Sequence, residues 1–204
     1  MKVLVACEES QVVCKAFRAK GHEAYSCDII DCSGGHPEWH IKSDAMKAAK
    51  SRKWDMLIGH PVCTYLCNSG VSWLWDGEVG ARNYERWGKM YAGALFFKDM
   101  FDLDIEMICL ENPIMHKYAR SIIEYGYDQI VQPWMFGHME RKATCLWLKG
   151  LPLLKPTNNV QEGMLKLPKR EQQRLHYLPP GPERAKLRSK TFLGLGNAMA
   201  DQWG

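Results

Sequence analysis

The chain has 204 residues, of which 46% are hydrophobic and 25% charged, a balance typical of globular proteins and not of disordered segments. No apolar run approaches the ~20 residues needed to cross a bilayer, and residues 1–7 are too short and too soon followed by acids to act as a signal peptide. We therefore expect a cytoplasmic protein without a membrane partner. A formal net charge of +4 does not by itself require nucleic acid.

The eight cysteines do not predict a disulfide framework, because the chain is neither small nor evidently secreted. No Cys-x-x-Cys pair occurs. The one closer pair, Cys63 and Cys67, lacks a third ligand at metal-site spacing. We expect reduced thiols that mostly pack as small apolar groups, and no bound metal.

Strands and helices alternate along the first half of the chain. Residues 3–6 predict a strand, residues 10–20 a helix that Gly21 ends, and residues 24–27 a second strand. Residues 54–59 and 107–110 predict two more strands, separated by a long aromatic and apolar helix over residues 82–100. This order indicates an α/β fold with a doubly wound, mostly parallel sheet.

The last third has a different pattern. Residues 129–131 and 144–148 predict strands that close the sheet, the second as an antiparallel edge. Residues 151–190 are rich in Pro, Lys, Arg and Gln with little periodicity, and we interpret them as an irregular basic insertion within one domain spanning residues 1–204. Such a stretch can neutralise phosphates, although a solvated basic surface would have the same composition.

Reactive side chains follow four of the predicted strands. Ligands of doubly wound sheets bind outside the carboxyl ends of the strands. One edge of the sheet therefore receives carboxylates, an imidazole and thiols from Cys7, Glu8, Glu9, Asp28, His60, Cys63 and Glu111. We expect the functional site at this edge.

Three motifs resemble those of the DNA cytosine-C5 methyltransferases and occur in that family's order. They are Gly59-His60-Pro61-Val62-Cys63, Leu110-Glu111-Asn112-Pro113 and Gly194-Leu195-Gly196-Asn197-Ala198. Each motif is short, but together they cover the chain, and its compact pattern is similar to small phage-encoded members. The resemblance implies a Rossmann-like class I methyltransferase fold and methylation of cytosine in DNA.

The resemblance also implies catalytic roles. Cys63, on the loop that Pro61 helps to shape, would add to C6 of the base, since a thiolate is a strong nucleophile whose pKa responds to its surroundings. Glu111 would hold or protonate N3 and contact the exocyclic amine. Arg141 or Lys142 would contact O2 or a nearby phosphate, unless they form a surface charge pair. A target base in duplex DNA would have to be flipped out.

The implied cofactor is S-adenosylmethionine. Asp28 would bind the ribose hydroxyls, Asp44 the adenine amine, and Gly196 with Asn197 the methionine side. Cys7 and His60 complete the predicted pocket. At the first loop the family's glycines are replaced by Cys7-Glu8-Glu9, and these two acids would equally suit a helix N-terminus.

Several alternatives stay open at this point. The region available for recognising DNA sequence is short, so the substrate is a very short site, single-stranded DNA or a nucleotide, or the protein works as a homo-oligomer. An amino-methyltransferase is a second enzymatic reading, and a non-catalytic accessory protein that binds nucleic acid is a third. Trp73 and Trp75, just after the catalytic loop, are candidates for stacking on a base.

Overall fold

The computed structural model describes residues 1–77 and 80–204. The strands in these ranges are β1 Lys2–Ala6, β2 Glu23–Asp28, β3 His40–Lys42, β4 Met56–Gly59, β5 Met107–Pro113, β6 Gln129–Val131 and β7 Thr144–Lys149. The α-helices are α1 Val12–Ala19, α2 Ala45–Lys50, α3 Tyr84–Phe101, α4 Lys117–Ile123, α5 Gln161–Lys166, α6 Lys169–Gln172, α7 Pro182–Ser189 and α8 Leu193–Trp203. Short 3₁₀ helices cover Pro37–Trp39, Asn68–Leu74 and Pro133–Met135.

The described strands form one sheet in the order β3-β2-β1-β4-β5-β7-β6. The pairs among β1 to β5 are parallel, and β7 runs antiparallel to both β5 and β6. The predicted α/β fold with a doubly wound, mostly parallel sheet is therefore confirmed. The strand order reverses between β1 and β4, and this switch point is where such sheets form a ligand crevice.

The sheet is covered on both faces because its central strands are apolar on both sides. Val3 and Val5 of β1 face a core with α1 and α8, whereas Leu4 and Ala6 face a core with α2, α3 and α4. This alternation follows from the two-residue period of a strand. All eight cysteines lie in the described ranges, and none is in a disulfide.

One predicted strand position is wrong. The strand at residues 144–148 is antiparallel as expected, but β7 lies inside the sheet and β6 forms the edge. Thr144, Cys145, Leu146 and Trp147 are all buried, as a strand with neighbours on each side requires.

The basic insertion is more ordered than the sequence predicts, since α5, α6 and α7 all lie within residues 151–190. It docks on the segment before β7 through an Arg174–Glu140 ion pair (2.9 Å) and a hydrogen bond from the Arg141 amide to the Gln172 carbonyl (2.6 Å). Among the residues that the structure describes, no helix is long and apolar enough to span a membrane.

Candidate active site

The register of the sheet aligns the predicted site residues in one row. Ala6 and Gly59, the last residues of β1 and β4, are paired with each other and with Cys27 and Leu110 on the outer strands. The residues that follow these four positions, from β2 to β5, are Asp28, Cys7, His60 and Glu111. The row lies at the carboxyl edge of the sheet and crosses the switch point.

His60 and Glu111 form an ion pair inside this row. The Nδ1 atom of His60 lies 3.3 Å from Oε2 of Glu111, and the two side chains are only 12% and 10% exposed. Burial by itself would lower the pKa of His60, but the contact with Glu111 and the charges of Glu111 and Glu8 raise this pKa above its usual value. Burial would raise the pKa of Glu111, yet His60, Lys142 and Thr191 hold it below its usual value. Each residue of the pair therefore favours the charged form of the other.

Glu8 stabilises the start of α1. Its carboxylate accepts hydrogen bonds from the amides of Val13 (2.7 Å) and Cys14 (3.2 Å), and the residue is only 4% exposed. Burial raises the pKa of Glu8, against the opposing charge of His60. The structure thus engages Glu8 as an acid at a helix N-terminus, whereas the neighbouring Glu9 is half-buried. A contact of either with a cofactor stays a prediction.

Cys63 lies on a tight turn directly after β4. Its carbonyl accepts hydrogen bonds from the amides of Leu66 (3.0 Å) and Cys67 (3.1 Å). The carbonyl of Pro61, two residues earlier, accepts from the Asn112 side-chain amide (2.8 Å). The Cys63 side chain is half-buried, and burial raises the pKa of its thiol. The turn therefore presents a protonated, partly accessible thiol beside the end of β5.

A second set of contacts holds the same loop to the segment after β5. Nε2 of His116 lies 2.9 Å from the Tyr65 carbonyl, and the amide of Asn68 donates to the carbonyl of Ile114 (3.0 Å). His116 also accepts from the amide of Ala119 and so caps α4. Hydrogen bonds therefore hold the loop carrying Cys63 to β5 at one end and to the segment after β5 at the other.

Lys142 influences both the thiol and the ion pair. Its charge lowers the pKa values of Cys63, His60 and Glu111 alike. Its Nζ atom donates to the carbonyl of Arg188 (2.9 Å), and the Arg188 charge also lowers the pKa of Cys63. Lys142 was predicted from the sequence as a site residue. Arg188, which lies near the end of α7, was not.

Thr191 and Asn112 are two further residues that the sequence prediction did not assign. Thr191, between α7 and α8, is 5% exposed, and its hydroxyl contacts Glu111. Asn112 is 1% exposed; it belongs to the motif Leu110-Glu111-Asn112-Pro113, but no role was predicted for it. Its position directly after Glu111, at the end of a strand, is the sequence feature that could have indicated a role. No sequence feature indicated Thr191.

The first loop reaches its shape without glycine. Cys7 and Gln11 both adopt the left-handed region, with φ of 59° and 57°, which costs a residue with a side chain about 1–2 kcal/mol. The Gln11 side chain compensates by bonding the backbone of His36 at both its amide (3.0 Å) and its carbonyl (2.7 Å). The first loop is thus held by side-chain contacts to the loop that follows β2.

Three predicted cofactor residues lie together at the β1–β2 side of the row. Burial, then the charges of Asp28, Cys27 and Asp44, raises the pKa of Cys7 to about 12. Asp28 accepts from the amide of Ile30 through one oxygen (3.3 Å), and Asp44 caps α2 by accepting from the Lys47 amide (2.9 Å). Asp28 is half-buried and Asp44 exposed. Their carboxylates are available to polar groups of a ligand.

Gly196 and Asn197 belong to α8. A Cβ at Gly196 would lie 3.4 Å from Val12 Cγ1, so this glycine lets α8 pack closely on α1. Asn197 is exposed. The contact that the family resemblance implies for these two residues stays a prediction.

Three buried polar atoms at the ends of β4 and β5 have no hydrogen-bond partner among the described residues. They are Nε2 of His60, Oε2 of Glu111, which is in ion-pair contact with His60 at 3.3 Å, and Oδ1 of Asn112. A buried group left in this state costs about 1–3 kcal/mol. Such a group of unpaired atoms favours a polar ligand at the same place. No cluster of three His, Cys, Asp or Glu in residues 1–77 and 80–204 is arranged to hold a metal ion.

The two candidate stacking residues have different surroundings. Trp73 is 67% exposed, whereas Trp75 packs edge-on against Trp87 (5.8 Å between ring centroids) and Tyr118 (6.2 Å). Trp75 is therefore part of an aromatic cluster, and only Trp73 is free to contact a base.

The fold and the site together define an α/β protein whose sheet carries, at its switch point, a buried ion pair and a cysteine on a loop held by hydrogen bonds. No family model matches the sequence, and no curated protein matches it significantly.

Solved structures share its backbone arrangement at low identity. One is from E. coli, encoded within a prophage and described as a DNA modification methyltransferase; it is 13% identical, with a TM-score of 0.45, over 82% of this chain and 55% of that chain. Another is the Entamoeba histolytica methyltransferase EhMeth, 15% identical with a TM-score of 0.49, over 89% of this chain and 60% of that chain. This chain thus spans somewhat more than half the length of each.

Proposed function

We propose that this protein is an S-adenosylmethionine-dependent methyltransferase that modifies C5 of cytosine in DNA through a covalent adduct with Cys63. The observation that carries the proposal is the hydrogen bond from the Asn112 side-chain amide to the Pro61 carbonyl (2.8 Å), which joins the Cys63 loop to the strand end that carries Glu111 and its partner His60. A nucleophile and an acid–base pair on neighbouring strand ends are what nucleophilic catalysis on a ring requires.

Cys63 is the nucleophile in this proposal. C5 of cytosine is a poor nucleophile until a thiolate adds to C6 and pushes electron density towards C5. The raised pKa of Cys63 keeps the thiol protonated in the free protein, and the charges of Lys142 and Arg188 oppose that effect. These two cations would stabilise the thiolate when it forms. Water would accept the S–H proton when the thiolate forms, and later the C5 proton, whose loss would expel Cys63 as a thiolate and complete the cycle.

Glu111 is the residue that recognises the base. The unpaired polar atoms on His60, Glu111 and Asn112 suit a planar ring that offers both an acceptor, N3, and a donor, the exocyclic amine. A proton at N3, held by Glu111, would neutralise the charge that builds up on the ring when the thiolate adds. Asn112 would at the same time keep the Cys63 loop in place through Pro61.

The residues present fit S-adenosylmethionine at its nucleoside end. Asp28 directs a half-buried carboxylate to the crevice, and Asp44 and Cys7 lie near it; a carboxylate at the end of β2 is suited to ribose hydroxyls. Gly196 and Asn197 are the candidates for the methionine end. The cofactor would supply the electrophilic methyl group of its sulfonium.

DNA is the proposed polymer because cations surround the thiol. Arg184, Lys186, Arg188 and Lys190 lie on or next to α7, and the Lys142–Arg188 hydrogen bond fixes the end of this helix beside the site. Cations so placed would bind phosphates close to the reacting base. The compact insertion favours a short site, single-stranded DNA or a nucleotide over an extended recognition sequence.

The decisive experiment measures transfer of labelled methyl from S-adenosylmethionine to duplex DNA, single-stranded DNA and dCMP, followed by digestion and identification of the modified nucleoside. We expect label in 5-methylcytosine, its loss in Cys63→Ser, and its retention in Cys67→Ser, a control on the same turn. Label in N4-methylcytosine or N6-methyladenine would establish an amino-methyltransferase instead. Absence of both label and cofactor binding would leave a non-catalytic accessory protein.

A further inference from the structure

His60 has surroundings that a residue merely lining a cofactor pocket would not need. The groups that face it come from three parts of the fold: Glu111 from β5, Glu8 from the loop between β1 and α1, and Lys142 from the segment before β7. The charges of two carboxylates and one ammonium group thus act on one imidazole, which is 12% exposed and in direct contact with Glu111.

The members of this cluster differ in their freedom to exchange a proton. Both oxygens of Glu8 are engaged by amides of α1, and Nζ of Lys142 is bound to the Arg188 carbonyl. His60 has an unpaired Nε2 and places Nδ1 3.3 Å from Glu111. Because imidazole is the side chain that ordinarily titrates near neutrality, His60 is the group that can release a proton towards Glu111.

The proposed reaction creates a need for this proton. Glu111 has a lowered pKa and is a carboxylate in the free protein. A carboxylate can accept hydrogen bonds from the exocyclic amine, but it cannot donate a proton to N3 of the base. A donor next to Glu111 is required.

We infer that His60 is the positioning residue that stores this proton: its imidazolium, held against Glu111, keeps Glu111 ionised until a base is bound and then passes its Nδ1 proton to Oε2 of Glu111 for delivery to N3. This inference rests on the proposed function. The transfer breaks the Nδ1–H bond, forms an O–H bond on Glu111 and finally an N3–H bond. When the thiolate leaves, the proton returns by the same route, so no further reactant is consumed.

The inference has a test that does not depend on activity. NMR of the ¹⁵N-labelled imidazoles in the free protein should show His60 titrating above its ordinary value, and Glu111→Gln should move that titration to lower pH. Asp28→Asn is the matched control, because it removes a carboxylate from the same row without contacting His60 directly, and should leave the titration in place. A His60 that titrates alike in wild type and Glu111→Gln would overturn the inference.

The kinetic test uses His60→Asn, whose side-chain amide can donate a hydrogen bond to Glu111 but has no transferable proton. We expect kcat for methyl transfer to fall at least about 100-fold, the lower range for loss of acid–base catalysis, with little change in KM. Added imidazole should restore part of the rate to His60→Ala, and less so above the pKa of the added imidazole.

The outcomes separate the inference from the proposed function. Full activity in His60→Asn would overturn the inference and leave the methyltransferase standing. If the wild type transfers no methyl group to any substrate, the proposed function fails, and the NMR titration alone decides whether His60 holds a proton for Glu111.

Discussion

The side-chain amide of Asn112 donates a 2.8 Å hydrogen bond to the carbonyl of Pro61, two residues before Cys63. This bond joins β5 to the loop after β4 at a site where water has little access, because Asn112 is 1% exposed. The position of Cys63 thus depends on Asn112, which follows Glu111 directly. The hydrogen bond therefore couples the position of the Cys63 loop to that of Glu111.

Loss of this bond should disturb both stability and the thiol. Asn112→Ala leaves the Pro61 carbonyl without its partner, and we expect a loss of about 1–3 kcal/mol in the free energy of unfolding, measured by urea titration. The rate of Cys63 alkylation by iodoacetamide, followed by peptide mass spectrometry, should rise as the loop loosens. Asn83→Ala, which removes the cap of α3, is a control that should lower stability without changing alkylation.

The His60–Glu111 pair should make stability depend on pH from both sides. The lowered pKa of Glu111 contributes stability above its ordinary value of 4.5, which is lost as the pH falls through the lowered pKa. The raised pKa of His60 contributes stability below its ordinary value of 6.5, which is lost as the pH rises through the raised pKa. The coupling between the two residues should therefore be greatest between pH 4.5 and 6.5.

A double-mutant cycle of His60→Gln and Glu111→Gln, with urea unfolding at each pH, measures this coupling. Contributions common to all four proteins, that of Glu8 among them, largely cancel. A coupling energy that is constant from pH 4 to pH 9 would contradict the assignment of charges.

Removal of the Lys142 charge should make Cys63 less reactive. The ammonium group lowers the pKa of the thiol, so Lys142→Met should shift the pH dependence of Cys63 alkylation to higher pH, whereas Lys142→Arg should keep most of the wild-type profile. Lys155→Met, which changes an exposed lysine, should not move the profile. An unchanged profile in Lys142→Met would place the ammonium group away from the thiol.

Two glycine substitutions should have opposite effects. A Cβ at Gly194 would collide with the backbone carbonyl of Phe136, so Gly194→Ala should destabilise the protein by about 1–3 kcal/mol as α8 is pushed from its place. Gly88 lies in α3 with open space around it, and Gly88→Ala should stabilise by about 0.4–1 kcal/mol. Thermal unfolding of both variants gives the comparison, and a neutral Gly194→Ala would show that α8 can shift without cost.

Trp73 should contribute to binding of nucleic acid and not to folding. Its ring is 67% exposed, and stacking on a base is worth about 1–3 kcal/mol. Trp73→Ala should weaken binding of a fluorescent single-stranded oligonucleotide, measured by anisotropy, at unchanged melting temperature. Trp75→Ala should instead lower the melting temperature, because Trp75 packs against Trp87 and Tyr118.

The central sheet and the row of site residues were predictable from the sequence because each depends on local pattern. Short β-branched runs that end in polar residues marked β1, β4 and β5, and the edge rule for parallel sheets then brought Cys7, His60 and Glu111 together. The place of β7 was not predictable in the same way, since the order of strands depends on pairing between distant segments. The continuous burial of β7 from Thr144 to Trp147 became visible only in the structure.

The parts of the site that the sequence did not reveal are long-range contacts. Arg188 and Lys142 are 46 residues apart and meet through a backbone carbonyl, which leaves no sequence signature. Glu8 carried two equally good interpretations. The hydrogen bonds from Val13 and Cys14 show its place at a helix N-terminus, and its contact with a cofactor stays a prediction. Periodicity and motifs describe residues that are close together along a strand or helix. They do not show which distant residues come into contact when the chain folds.

The packing of α8 on α1 has a consequence for synthesis on the ribosome. Gly196 meets Val12 and Val13, so α1 is covered by a helix that is synthesised much later than itself. The nascent chain can pair β1 with β4 and β4 with β5 well before this, but Val13 and Phe17 of α1 share a core with Leu195 and Met199 of α8. Until α8 leaves the exit tunnel, that apolar surface stays open to chaperones and to aggregation. The core on this face of β1 is thus complete only when α8 has been made.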